Sequence, residues 1–122
     1  PLKVVKAVLP DPASLAPGYS GKTCIGDLVK GTKDGQPREL FIYNVADHED
    51  AFAETESQGI SYTAGVPPVA AALLVACGEW HVQRMANVEE LPAEPFLKAL
   101  DVMGLPTRIK DEKGDRAWDA IA

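Results

Sequence analysis

Asp47 and His48 adjoin each other at the end of the apolar alternation LFIYNVA, residues 40–46. A carboxylate beside an imidazole is an acid–base pair, and histidine titrates near neutral pH, so the two could pass a proton to or from a substrate. They are the candidate catalytic residues. A structural reading stands beside this one. Asp47 is a residue type that caps a helix, accepting the free N–H groups of HEDAFAETES, and His48 is then an exposed first-turn residue. Tyr43, Gln58, Tyr62, Thr63 and Lys22 are the candidate substrate-binding residues. Gln58, Tyr62 and Thr63 precede an apolar run whose helix N-terminus, near Val66, favours a carboxylate; alternatively they satisfy local backbone groups. Lys22 could meet a carboxylate or phosphate, or be solvated. Glu89 and Glu90 could face an ammonium group, or only water.

Lys22 also belongs to APGYSGKT, Ala16–Thr23, which ends like a phosphate-binding loop. Such a loop needs a buried strand before it and a helix after it, so that amide N–H groups point at the anion. Pro10, Pro12 and Pro17 spoil the upstream strand, and the downstream residues alternate as a strand does. The stretch is therefore expected to be a turning loop that leads into a hairpin. No G-x-G-x-x-G occurs, so the chain carries no dinucleotide fingerprint of its own.

These residues have to be held by ordinary elements. LKVVKAVL, residues 2–9, is rich in β-branched residues and predicts a first strand. TCIGDLVKGT and RELFIYNVAD flank KDGQ, whose Asp34-Gly35 suits a tight hairpin. A short helix follows Asp47, then GISYTAG as an extended piece or loop. VPPVAAALLVACG predicts a helix with Pro67 or Pro68 in its first turn and Gly78 as its stop, buried on most faces. MANVEEL reads as a short strand. PAEPFLKALDVMG reads as an amphipathic helix with a Phe96, Leu97, Leu100 and Met103 stripe, closed by Gly104. Trp80 and Phe96 read as core or interface, and residues 110–122 as a charged, flexible tail. The expected fold is α+β, a mixed, mostly antiparallel sheet with a central hairpin and helices packed against it.

With 122 residues, residues 1–122 make one domain. The chain is 46% hydrophobic and 25% charged, the range of a soluble globular protein, and its net charge of −6 argues against a nucleic-acid surface. No apolar run approaches a bilayer span and no signal peptide is visible, so no membrane partner and a cytoplasmic setting are expected. Cys24 and Cys77 lack metal-ligand spacing and read as buried thiols; no metal is expected. The start at Pro1, in what reads as mid-protein sequence, predicts a piece of a larger protein.

GKTCIGDLVKGTKDGQPRELFIYNVADHEDA, SQGISYTAGVPPVAAALLVACGEW and NVEELPAEPFLKALDVMGLPTRI, in that order, resemble the C-terminal, substrate-side region of the saccharopine dehydrogenase family, in its carboxynorspermidine dehydrogenase branch. Ala64 departs from the family's usual Thr-Thr-Gly-Val-Pro. The resemblance implies an N-terminal Rossmann domain, outside this chain, that binds NADPH, and a second domain that binds substrate and forms a homodimer. It implies a reductive condensation in which a primary amine of a diamine attacks the aldehyde of aspartate semialdehyde, water leaves, and hydride reduces the imine. By itself this stretch is expected to be inactive. A different class of function also fits: a non-catalytic dimerisation module whose hairpin edge pairs with a partner.

Overall fold

A computed structural model describes residues 2–121. Its largest feature is a hairpin. Strands β1 (Lys22–Lys33) and β2 (Gln36–Asp47) pair antiparallel over their full 12 residues each. Asp34 and Gly35 turn the chain at φ of 55° and 75°, the left-handed pair that a two-residue hairpin loop requires. Strands β3 (Thr107–Asp111) and β4 (Gly114–Ala117) extend the sheet in the order β1-β2-β3-β4, antiparallel at every pairing. The α+β architecture expected from the sequence is the one observed.

The helices are α1 (Leu2–Val8), α2 (His48–Thr55), α3 (Gly59–Ala76) and α4 (Ala93–Val102). Ala46, Ala70, Leu74, Trp80, Leu100, Leu105 and Ile109 form the core between helices and sheet. Trp80 stacks on Phe96 at 5.6 Å, and its indole N–H donates to the Pro92 carbonyl at 3.1 Å. The expected α4 stripe is in place, with Leu100 buried and Phe96, Leu97 and Met103 half-buried. Gly78 and Gly104 follow the ends of α3 and α4 at φ of 78° and 77°, as stop residues do.

Five local expectations differ from the structure. Residues 2–8 are helix, not strand. A strand must borrow its hydrogen bonds from a neighbour, and none is available there, whereas a helix satisfies its own. GISYTAG is the first part of α3, so Pro67 and Pro68 lie inside the helix rather than in its first turn. Val88–Glu90 is a 3₁₀ turn within MANVEEL, not a strand. Cys24 and Cys77 are exposed. Finally, the charged tail contains β3–β4 register pairs and a 3₁₀ turn at Trp118–Ile121. Its charges are paired: Arg108 Nε, just ahead of the tail, is 3.0 Å from Asp115 Oδ1, and within it Arg116 grips Asp111.

α3 is also less covered than its composition suggests. It is long and apolar enough to cross a membrane by length and composition, yet Thr63, Ala70 and Leu74 are buried in the body of the domain. Its other side stays open, with Val69 53% and Leu73 48% exposed. One sheet and α4 cover only one side of a cylinder.

Two strand glycines have opposite surroundings. A Cβ at Gly26 would lie 2.5 Å from Tyr43 Cβ and 2.6 Å from the Ile42 carbonyl oxygen, whereas one at Gly31 meets nothing within 4 Å. Gly26→Ala is expected to cost about 1–3 kcal/mol through forced backbone shift. Gly31→Ala is expected to be neutral or slightly stabilising, because strand glycine carries an entropic penalty. Urea unfolding midpoints of the two variants check this.

Candidate functional site

Lys22 and Asp47 are the cross-strand pair at the open end of the hairpin. Lys22 Nζ lies 3.1 Å from Asp47 Oδ2. The other carboxylate oxygen, Oδ1, accepts the Glu49 and Asp50 amides at 2.8 and 3.3 Å, which caps α2. Lys22 first, and then these amides, hold the Asp47 carboxyl below its ordinary value. Asp47 is thus a fixed anion at a helix start, in the capping role its residue type suggested.

A cavity of about 310 Å³ opens beside this pair. Its polar lining is Lys22, Asp47, Asp50, Glu54 and Tyr62. Asp50 and Glu54 are one turn apart on α2 and share a face. A second cavity of about 420 Å³ shares Glu54 and Tyr62 and continues along α3 past Ser61 and Val66 to Met103. Tyr62 separates the two. Its hydroxyl donates to the Met103 carbonyl at 2.7 Å and lies 3.2 Å from Glu54 Oε2. Burial, and then the Glu54 charge, push the Tyr62 hydroxyl above its ordinary value. Gly104 makes this possible, because a Cβ there would come within 2.9 Å of the Tyr62 hydroxyl.

His48 is buried and does not line either cavity. Its Nδ1 accepts the Gly59 amide at 2.8 Å, and its backbone N–H donates to the Gly21 carbonyl at 2.9 Å. With Nδ1 an acceptor, the neutral ring carries its hydrogen on Nε2. The Tyr19 ring meets the imidazole edge-on at 4.7 Å. Asp47 and His48, adjacent in sequence, therefore face different partners.

The remaining candidates are spread out. Tyr43 lies four residues down β2, roughly 13 Å from Asp47, and its hydroxyl donates to Asp115 Oδ2 at 2.7 Å. That bond, above all, raises the Tyr43 hydroxyl from its usual value. Gln58 is the N-cap residue of α3 without a side-chain capping bond, while its carbonyl accepts the Ser61 and Tyr62 amides. Thr63 is buried, and its hydroxyl donates to the Ile60 carbonyl at 3.1 Å. Glu90 pairs with Arg84 instead of lining the site. Lys22, Asp47 and Tyr62 are thus brought together, and Tyr43, His48, Gln58 and Thr63 are not. Asp50 and Glu54 escaped the sequence reading. Their spacing of four after a capping aspartate was the available signal. Among the described residues no three His, Cys, Asp or Glu side chains cluster as a metal site.

Comparison with known proteins bears on this geometry. Residues 1–105 match the Saccharopine dehydrogenase C-terminal domain. The chain is 51% identical over 111 residues to the carboxynorspermidine synthase of Vibrio alginolyticus, covering 91% of this chain and 27% of that protein. It is 54% identical over 105 residues to the carboxynorspermidine synthase of Vibrio cholerae, covering 86% and 25%. It is 53% identical over 106 residues to the carboxyaminopropylagmatine dehydrogenase of Synechocystis, covering 87% and 27%. The chain therefore spans about a quarter of the length of these relatives.

The carboxyls of Asp47, Asp111 and Asp115 are all held below the ordinary value by cationic or hydrogen-bonding neighbours. Unfolded, they titrate near about 3.9. A carboxyl lowered by folding stabilises the fold above its unfolded value, and that stabilisation is lost as pH falls through the folded one. Urea midpoints are therefore expected to drop as pH falls below about 4. Asp47→Asn should make the drop shallower, and an unchanged slope would show that the Lys22 pair and the cap contribute nothing.

Proposed function

Because the chain belongs to the saccharopine dehydrogenase family of oxidoreductases, whose C-terminal domain it carries, we propose that it forms the substrate-binding and dimerising region of an NADPH-dependent enzyme that condenses a diamine with aspartate semialdehyde. The observation that carries this reading is the cavity lined by Asp47, Asp50, Glu54 and Lys22. A diamine brings a spare cationic end, and carboxylates are its natural partners. The aldehyde substrate brings a carboxylate, and Lys22 offers the opposite charge. One small cleft thus supplies both signs to two substrates that must meet head to head. The relatives' names contain norspermidine and agmatine units, whose far ends are both cationic, which agrees with an acidic cleft.

The amine must be neutral when it attacks the aldehyde carbon. It loses a proton before or during attack, the carbonyl oxygen leaves as water, and the resulting imine accepts hydride and a proton to become a secondary amine. NADPH supplies the hydride. The chain carries no dinucleotide fingerprint, and in this reading NADPH is held mainly by a domain outside it. Within the chain, Asp50 and Glu54 hold the cationic tail, Lys22 orients the carboxylate, and the Tyr62 ring forms the wall between the two cavities. His48 is a positioning residue. It anchors the first amide of α3, one turn before Tyr62.

Dimer formation uses apolar or unpaired surfaces. Among the described residues β1 is an edge strand of 12 residues, and Val4, Val8 and Val69 are exposed. The free edge equally favours the second reading, a dimerisation module without substrate contact. Kinetics of the complete enzyme separate the two. Asp50→Asn and Glu54→Gln are each expected to raise KM for the amine roughly tenfold, the order of one charge-assisted hydrogen bond, with a smaller effect on kcat. Unchanged KM in both variants sinks the substrate-binding reading. For His48, replacement by Asn, which keeps an acceptor near the Nδ1 position, is expected to retain more activity than replacement by Ala.

A further inference from the structure

At the turn end of the hairpin, roughly 30 Å along the strands from Lys22, lies a pocket of about 260 Å³. Its walls are Val29, Gly31 and Leu40, and its charged groups are Lys33 and Arg38. Nothing in the proposed chemistry uses it. Its electrostatics are unbalanced. The neighbouring Asp111 carboxylate is fully buried, and both its oxygens are already engaged: Arg116 donates to Oδ1 at 2.7 Å and to Oδ2 at 2.6 Å, and the Lys113 amide to Oδ1 at 2.8 Å. Arg38 reaches Asp111 Oδ2 only at 3.6 Å, an ion-pair distance beyond hydrogen-bond length. The Arg38 Nε–H is buried and has no hydrogen-bond partner among the described residues.

A buried, unsatisfied donor on a charged group is costly, and native structures rarely keep one without a use. Lys33 forms no ion pair among the described residues. Glu39, the acidic residue next to Arg38 on β2, is paired with Lys30 at 2.7 Å, on the opposite face of the hairpin by strand alternation. Asp34 in the turn does not line the pocket. Opposite Arg38 in the register stands Gly31, where an added Cβ meets nothing within 4 Å. A glycine inside a strand weakens it and often marks the close approach of another group. Here its missing side chain keeps the pocket open beside the Arg38 guanidinium.

We propose that this pocket is a carboxylate-binding site. Arg38 supplies a planar guanidinium on the pocket wall, the shape that donates to a carboxylate, with an Nε–H that lacks a partner among the described residues, and Lys33 supplies the second charge. Val29 and Leu40 flank the aliphatic part of the ligand. The carboxylate belongs either to a small free acid or to an acidic side chain of another copy of this chain.

The Arg38 side-chain Nε–H resonance in ¹H–¹⁵N spectra, assigned by its loss in Arg38→Gln, reads the site directly in the unaltered protein. Acetate and succinate, titrated in carboxylate-free buffer at constant ionic strength against chloride, are expected to move it downfield and saturate. Gly31→Val, which fills the pocket from a position with free space, should weaken that binding roughly tenfold or more. Saturation at fixed protein concentration assigns the site to a free carboxylate. A shift that grows with protein concentration, with no acid added, assigns it to a side chain of a second copy. A response no larger than that to chloride, together with no concentration dependence, overturns the proposal.

Discussion

The buried hydrogen bond from the Gly59 amide to His48 Nδ1 fixes the start of α3 against the start of α2. The first N–H groups of any helix lack intrahelical partners, and leaving one buried without an acceptor costs about 1–3 kcal/mol. His48 supplies that acceptor, so α3 can start at Gly59, well before its prolines. The same residue ties its own amide to Gly21 and its ring to Tyr19, bringing the glycine loop onto the hairpin end. Glycine suits position 59, because a Cβ there would sit 3.0 Å from Nδ1 and 3.2 Å from the Ala46 carbonyl oxygen and would push the ring aside by a few tenths of an ångström. Once α3 is anchored, Tyr62 falls opposite Glu54 and the Met103 carbonyl, and the cavities on either side of it follow.

The sheet divides its labour by face. Ile42, Asn44, Thr107 and Ile109 pair across β2 and β3 on the side that meets the helices. Asn44 Nδ2 lies 3.0 Å from each of three acceptors around Leu105–Thr107, holding β3 in register. The other side carries Phe41 and Tyr43, stacked at 4.8 Å, and the hydroxyl–carboxylate–guanidinium chain from Tyr43 through Asp115 to Arg108. Charge is balanced on that side and left over at the turn end, where two arginines share Asp111. The exposed side of α3 and the free edge of β1 agree with a chain that covers about a quarter of its relatives' length.

Features governed by neighbours along the chain were legible in the sequence. Alternation and Asp34-Gly35 specify the hairpin, because side-chain period and left-handed turn residues are local requirements. The Asp47 cap, the α4 stripe and the Gly78 and Gly104 stops follow for the same reason. The family, too, was legible, since it rests on an ordered set of short motifs. α1 was misread because valines favour a strand only when another strand is there to receive them.

What residues do depends instead on what the fold sets across from them. Asp47 and His48 looked like an acid–base pair, but chain adjacency did not decide their partners: Lys22 comes from the far strand and Gly59 from the next helix. Asp50 and Glu54 look like ordinary helix-surface charges until Tyr62 and Gly104 close a cavity around them. The charged tail looked flexible because the cations that cancel its carboxylates, Arg108 for Asp115 and Arg116 for Asp111, meet them only across a hairpin. Sequence by itself determined the local elements and the family, through period and motif. Tertiary structure alone decided which charges meet and which donors stay unpaired, because electrostatics and hydrogen bonding act through distance in space, not separation along the chain.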